Sequence, residues 1–283
     1  MKIAALLVVA LFLASHGGAL HPALDSLAVL RVPLGLGVLG LCLWPSLRRA
    51  RWAWAATALT LASLALNQLL WDRGPDHPGE IVLYQKNLGY WNRAVEDVAA
   101  DIRAAGADIV TLQELSPQNA RLLDLLAEDF PVRQRCDFGA LYSMAVLSRL
   151  PAGPEGGRCS RARGLAALHV AGESGPGWVV SVHLHWPWPF AQPGQLPEVH
   201  TVLENLEGPM IIGGDFNQVP WSHAVRSTAR VAGVSYRGPS AVTFAHRGLR
   251  LPIDHVLAPS GSVERLGFLG SDHRGLRARV AFQ

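Results

Sequence analysis

At 283 residues, with 49% apolar side chains and a formal net charge of +3, the chain can bury a sizeable core in one large domain or two small ones. The charge is unevenly placed: of 25 basic and 22 acidic residues, five and one fall before Asp72, leaving 20 against 21 beyond it. The positive excess belongs to the N-terminal segment, so charge does not favour nucleic acid as a partner of the rest.

Residues 3–14 form an unbroken apolar run, 27–47 a second containing Arg31, Pro33 and Gly35, and 52–71 a third, polar only at Thr57, Thr60, Ser63, Asn67 and Gln68. Runs of about 20 residues match a hydrocarbon core of roughly 30 Å, so the second and third read as transmembrane helices. Trp44, Trp52, Trp54 and Trp71 then sit at interface positions. A buried core hairpin is the alternative for these two runs, disfavoured because neither has a polar face. The first run reads either as a third span, extended through Ser15-His16-Gly17-Gly18 to Leu20, or as a cleavable signal peptide that starts at Lys2. Arg48, Arg49 and Arg51 lie between the second and third runs. Positive loops stay in the cytoplasm, which puts everything after Asp72 on the outer face of a cell membrane. The expected organisation is a multi-pass membrane region over 1–72 with two or three transmembrane helices, a Pro/Gly-rich linker at 73–79 and a folded domain over 80–283.

In that domain, residues 80–88 read as a strand ending near Asn87. Residues 91–105 carry helical periodicity through Val95, Val98, Ile102 and Ala105, stopped by Gly106. Residues 107–113 form an apolar strand that delivers Glu114, and Ser116-Pro117 opens a helix to about residue 129. Strands follow at 132–136, 140–148, 164–170 and 178–184, then a helix at 197–206. A short strand at 209–213 precedes Asp215, a helix covers 222–231, and strands at 253–258, 263–269 and 276–282 close the chain. Strand-rich halves with interleaved helices predict two packed sheets with helices outside. Cys136 and Cys159, on the outer side, are expected to form a disulfide. In the chain-entropy model, closing such a loop stabilises the fold by about 3 kcal/mol. Cys42 is expected to stay unpaired, and without a Cys-x-x-Cys pair no zinc ribbon is indicated.

A series of polar motifs stands at the ends of these strands: Gln85-Lys86-Asn87, Gln113-Glu114, Ser181-Val182-His183, Gly213-Gly214-Asp215-Phe216-Asn217, Ile253-Asp254-His255 and Ser271-Asp272-His273. Carboxylates are hard ligands for magnesium, carboxamides and imidazoles donate to phosphate oxygens, and an imidazole beside a carboxylate serves as a base. Metal-assisted hydrolysis of a phosphate ester needs these groups. Glu114 reads as a metal ligand, with helix capping as the plainer alternative. His273 reads as general base, oriented by Asp254; Asp272 as a second ligand or a water-positioning group; Asp215 as aligning the nucleophile or holding metal. Asn217 and His183 read as phosphate donors, and Gly213-Gly214 as letting the backbone approach a ligand.

In kind and order these motifs resemble the endonuclease/exonuclease/phosphatase superfamily, which contains secreted deoxyribonucleases, abasic-site nucleases, neutral sphingomyelinases and inositol-polyphosphate phosphatases. The resemblance covers about residues 80–283 and is most specific at Gly214-Asp215-Phe216-Asn217 and Ser271-Asp272-His273. It implies a four-layered α/β sandwich with its site where strand ends of both sheets meet. It implies Mg2+ or Mn2+ held principally by Glu114, with Asn87 and Asp272 in support, and catalysis by His273, Asp254, Asp215, Asn217 and His183. Where many nucleases of the family carry an aspartate two residues after the asparagine, this chain has Gly89.

The expected activity is phosphodiester hydrolysis by an activated water on a lipid or small-molecule phosphate ester. The alternatives are an exported nuclease acting on DNA or RNA, and a catalytically silent membrane-anchored binding module. The Trp186-Pro187-Trp188-Pro189-Phe190 loop is open to four readings: stacking a base, covering a sugar, meeting a membrane interface, or packing. Arg158, Arg161 and Arg163 read as a solvated run or as a holder for an acidic head group. His185 reads as a second phosphate group or a loop residue, His255 as a turn residue, and His200, His223 and His246 as isolated. Oligomeric state is not legible.

Overall fold

The computed structural model describes residues 2–44, 49–71, 79–161, 163–173, 175–238 and 240–283, with 67–71 described by backbone alone. Arg48 and positions 73–78 of the expected linker lie outside the described residues. The N-terminal helices are α1 (Lys2–Ala14), α2 (Pro22–Ser26), α3 (Arg31–Cys42) and α4 (Arg51–Trp71), with a 3-10 turn at Leu27–Leu30 leading into α3. The chain continues through β1 (Ile81–Asn87), α5 (Val95–Ala104), β2 (Ile109–Leu115), α6 (Arg121–Leu125), β3 (Val132–Cys136) and β4 (Ser143–Ser148). Then come β5 (Ala152–Cys159), β6 (Leu165–Gly172), β7 (Gly175–His183), α7 (Gln192–Glu204), β8 (Met210–Asp215) and α8 (His223–Val231). Last are β9 (Ser235–Tyr236), β10 (Phe244–His246), β11 (Leu249–Leu251), β12 (Asp254–Ala258), β13 (Ser260–Arg265) and β14 (Leu276–Ala281).

Two mixed six-stranded sheets result, ordered β13-β14-β1-β2-β4-β3 and β5-β6-β7-β8-β12-β9, with β10-β11 as a separate hairpin. The parallel pairs are β1 with β2 and β7 with β8. Alternation along each strand divides the apolar side chains between two faces. Ile81 and Leu83 of β1 meet Val179 and Ile211 of the second sheet in the central core. Tyr84 packs instead with Val95 and Val98 of α5, and Ile212 with Val199 of α7 and Val225 of α8. The layers are helices, sheet, sheet, helices.

Some boundaries differ from those expected. The helix from Ser116 shrinks to α6, because Ser116 Oγ accepts from Gln118 N and Asn119 Oδ1 from Ser116 N, which turns the chain first. The Gly/Pro-rich residues of β5, to which no element was assigned from sequence, form an edge strand. Gly213 and Gly214 serve packing rather than ligand approach. A Cβ on Gly213 would lie 2.6 Å from Thr111 Oγ1 on the facing sheet, and one on Gly214 2.1 Å from the Val182 carbonyl. Cys136 and Cys159 are disulfide-bonded, with Cα atoms 5.7 Å apart, and Cys42 is free.

Among the described residues one helical stretch, Pro22–Cys42, is long and apolar enough to cross a membrane, where two or three were expected. At 13 residues, α1 spans only about 20 Å. Helices α1, α3 and α4 pack around Phe12, Val38, Cys42 and Ala53. Contrary to expectation, the segment before α3 joins the sandwich. The Asp25 carboxylate accepts from His223 N (2.5 Å) and Ala224 N (3.1 Å) at the start of α8. Gln218 Nε2 donates to Asp25 O, Trp221 Nε1 to Ala28 O and Ser26 Oγ to Trp188 O.

Candidate active site

Parallel pairing sets Asn87 beside Gln113 and His183 beside Asp215, so the ends of β1, β2, β7 and β8 converge. Asp254 does not follow a strand, as the sequence reading had it, but opens β12 and pairs in antiparallel register with Asp215. Two of the site residues hold left-handed backbone that side chains other than glycine rarely adopt: Glu114 (φ 56°), at a register shift between β2 and β4, and Asn217 (φ 48°). Strain of this kind persists where packing enforces it, and it gathers at functional sites.

The Asp215 carboxylate is the hub. Its Oδ2 accepts from Asn87 Nδ2 (2.9 Å) and Asn217 Nδ2 (3.4 Å), and its Oδ1 from Asn217 N (2.8 Å). His183 Nε2 stands 3.5 Å from Asp215 Oδ2 and 3.7 Å from Glu114 Oε1, and Asn87 Nδ2 also donates to Glu114 Oε1. His273 Nδ1 lies 2.9 Å from Asp254 Oδ2, while its Nε2 faces Asp215 Oδ2 at 3.8 Å and Asp272 Oδ1 at 3.9 Å. All eight expected site residues are thus gathered in one cluster.

Electrostatics follow from burial and crowding. Burial, reinforced by Asp254, pushes the Asp215 carboxyl up to about 7. Burial opposes the charged form of His273, but Asp254 and Asp215 outweigh it and lift the imidazole to about 9. Burial likewise opposes the Asp254 carboxylate, and His273 holds it below its ordinary value. His183 is driven well below its ordinary value by burial and then by Arg163.

Asp215, Asp254 and His273 each offer a ligand atom within 4.8 Å of the others. Asp254, however, is committed to His273 and receives Gln85 Nε2, and its side chain has no solvent exposure. Glu114 is the more accessible carboxylate and keeps lone pairs to spare, so of these carboxylates it is the one best placed to hold a cation. Hard oxygens flanked by a carboxamide suit Mg2+ or Mn2+.

Sequence reasoning gave no individual role to Lys86, Ser271 or Gln195, and read Arg163 only within a run that was either solvated or a holder for an acidic head group. Lys86, buried and lowered by that burial to about 8, donates to the carbonyls of Phe268 and His273. Ser271 Oγ donates to Asn87 O and accepts from His273 N. Gln195 of α7 donates to the carbonyls of Arg163 and His183. Arg163 itself lies against His183. His255, read as a turn residue, is buried between Phe216 and Tyr236. His246 is not isolated, since its Nδ1 is 3.4 Å from Asp272 Oδ2. His200 hydrogen-bonds Thr228, and the backbone of His185 is held by Gln192 and Gln195. The aromatic loop reaches the site edgewise: Trp186 packs on Phe244 (5.8 Å), which packs on His273 (4.9 Å).

Residues 84–273 match the sequence profile of the Endonuclease/Exonuclease/phosphatase family. No curated protein matches the chain at significant similarity. Solved structures share the fold. An endonuclease/exonuclease/phosphatase from Beutenbergia cavernae is 20% identical at a TM-score of 0.53, covering 71% of this chain and 72% of its own. A D. rerio TDP2 complexed with single-strand DNA product is 16% identical at 0.53, covering 70% and 97%. A beta toxin variant from Staphylococcus aureus with bound magnesium ions is 12% identical at 0.54, covering 71% and 99%.

Proposed function

Because this chain belongs to the endonuclease/exonuclease/phosphatase family, we propose that it is a divalent-metal-dependent phosphodiesterase, tethered at a membrane by its N-terminal helices. The observation that carries the reading is the hub at Asp215, ringed by Asn87, Asn217 and His183 and faced by the Asp254-held His273. Glu114 and Asp215, supported by Asn87 and Asp272, would hold Mg2+ or Mn2+. Bound there, the cation supplies charge for the phosphoryl oxygens and offsets the negative field that lifts His273, returning the imidazole toward the neutral form a base requires. Asp254 fixes the His273 tautomer so that Nε2 takes a proton from the attacking water. Asp215 orients that water, and Asn217 and His183 donate to phosphoryl oxygens.

A lipid or small-molecule ester is the favoured substrate class. Tyr90, Trp91, Trp186, Trp188 and Phe190 are exposed, and the Trp188 backbone lies against Ser26 of the N-terminal segment. Ile3, Leu7, Leu36, Trp44, Trp54 and Leu61 leave large apolar side chains outside the helical cluster, as a lipid-facing surface requires. Arg48, Arg49 and Arg51 favour a multi-pass topology with the sandwich on the outer face. Nucleic acid is the second reading, supported by the fold shared with the TDP2–DNA complex.

The test is turnover by the 283-residue chain, with Mg2+ or EDTA, of bis(p-nitrophenyl) phosphate, p-nitrophenyl phosphate, plasmid DNA and phospholipid vesicles. Metal-dependent cleavage of the diester or the vesicles is expected. Cleavage of the DNA alone would replace the lipid reading, and no cleavage at all would end the enzymatic one.

A further inference from the structure

The arginine run at 158–163 divides in the structure. Arg158 stays on the surface over Trp178 and beside Glu155, and Arg161 is exposed. Arg163 turns inward. Its guanidinium carbon stands 4.0 Å from the centroid of the Tyr142 ring, and Nη2 is 2.8 Å from Nε2 and 3.1 Å from Nδ1 of His183. One nitrogen cannot lie in the imidazole plane at both distances without running into Cε1 between them, so the guanidinium lies across the ring face. Held between a phenol and an imidazole, it makes no ion pair among the described residues, and its Nε is buried without a hydrogen-bond partner. Burial opposes its charge while nearby Glu114 and Asp215 favour it.

The backbone that carries this side chain is built with care. Gln195 donates to both the Arg163 and His183 carbonyls, and His183 N donates to the Gly164 carbonyl. Gly164 has φ 153°, and a Cβ there would come within 2.9 Å of Gln195 Nε2, so the next position admits only glycine. Orientation is therefore fixed while Nη2 is engaged only by the His183 ring and Nε is left without a partner. A guanidinium pairs with phosphate through two parallel N–H bonds, and a stacked one has already given up the rotamer freedom that binding would cost. A buried donor without a partner is unfavourable until an acceptor completes it.

We infer that Arg163 is a substrate-binding residue whose planar fork grips non-bridging oxygens of the scissile phosphate beside His183. The inference rests on the phosphoesterase reading above for its substrate, but not for its test. Calorimetric binding of inorganic phosphate needs no turnover and is measured on the 283-residue chain. Arg163→Ala should weaken phosphate about 10- to 100-fold, as the loss of a charge-assisted hydrogen-bonding group implies. Arg163→Lys keeps the charge but not the fork and should lose about tenfold; it serves where the alanine variant fails to fold. Arg161→Ala should match wild type. If the chain turns over bis(p-nitrophenyl) phosphate, kcat/KM should fall with phosphate affinity, and added guanidinium should restore part of it to Arg163→Ala alone. A folded Arg163→Ala or Arg163→Lys protein that binds phosphate as wild type does would overturn the assignment. Failure of the phosphoesterase reading would show separately, as phosphate binding lost in the variant with no wild-type turnover of any ester.

Discussion

Replacing Asp25 by alanine tests whether the N-terminal segment is part of the catalytic fold. Its carboxylate caps the first two N–H groups of the nine-residue α8, while Ser222 Oγ accepts from the third, Val225 N. Nothing else among the described residues accepts from His223 N or Ala224 N, so both would be left open at a buried helix end. A lost N-cap costs about 1 kcal/mol, and a negative charge removed from a partly buried helix N-terminus about 1–2 more. Against this, alanine avoids the cost of burying a carboxylate. The net expectation is about 2 kcal/mol. For a domain of this size that lowers Tm by about 4–8 °C. Asp25→Asn keeps an acceptor without the charge and should lose roughly half as much. The measurement is thermal unfolding of the 283-residue chain in detergent, followed by circular dichroism. An Asp25→Ala protein that melts with wild type would mean that the segment does not engage α8 in solution.

Three further outcomes are expected. Glu114→Gln removes charge with little change of volume, so it should abolish Mg2+-dependent turnover and the rise in Tm that Mg2+ gives; full activity at saturating Mg2+ would exclude Glu114 as a ligand. Asp254→Asn should lower turnover by about 10²–10⁴-fold, because it releases His273 from its tautomer and its base strength; a near-wild-type rate would show that the pairing at 2.9 Å is idle. Asp215 is raised from its ordinary 3.8 to about 7, so its contribution to stability is full below about pH 4 and is lost as pH rises through about 7. Binding Mg2+ requires the ionised form, so the Mg2+-induced rise in Tm should be larger at pH 8 than at pH 6; an increment that does not change with pH would contradict this.

The chemistry was legible where an apolar strand ends in a polar residue. Asn87, Glu114, His183 and Asp215 announce themselves this way, and the fold gathers them because β1 with β2 and β7 with β8 run parallel. Arg163 stood with two other arginines in a run that read as solvated or as a holder for an acidic head group, and only the folded chain shows which of the three turns inward. Lys86 was hidden for the opposite reason: a lysine inside a strand reads as surface until carbonyls from 268 and 273 close over it. The role of Gly213 depends on a contact across the two sheets, a separation that no local pattern encodes. Asp25 is the sharpest omission. It is the one acidic residue in the first 71 and its setting is apolar, a cue that it has a buried partner.

The disulfide has a mechanical consequence. Cys136 ends β3, the outermost strand of one sheet, and Cys159 ends β5, the outermost strand of the other. It is therefore a clasp on the open side of a book, and the two covers cannot swing apart there without breaking a covalent bond. With the clasp reduced, amide exchange should quicken together along β3 and β5 while the interior strands β1 and β8 keep their protection.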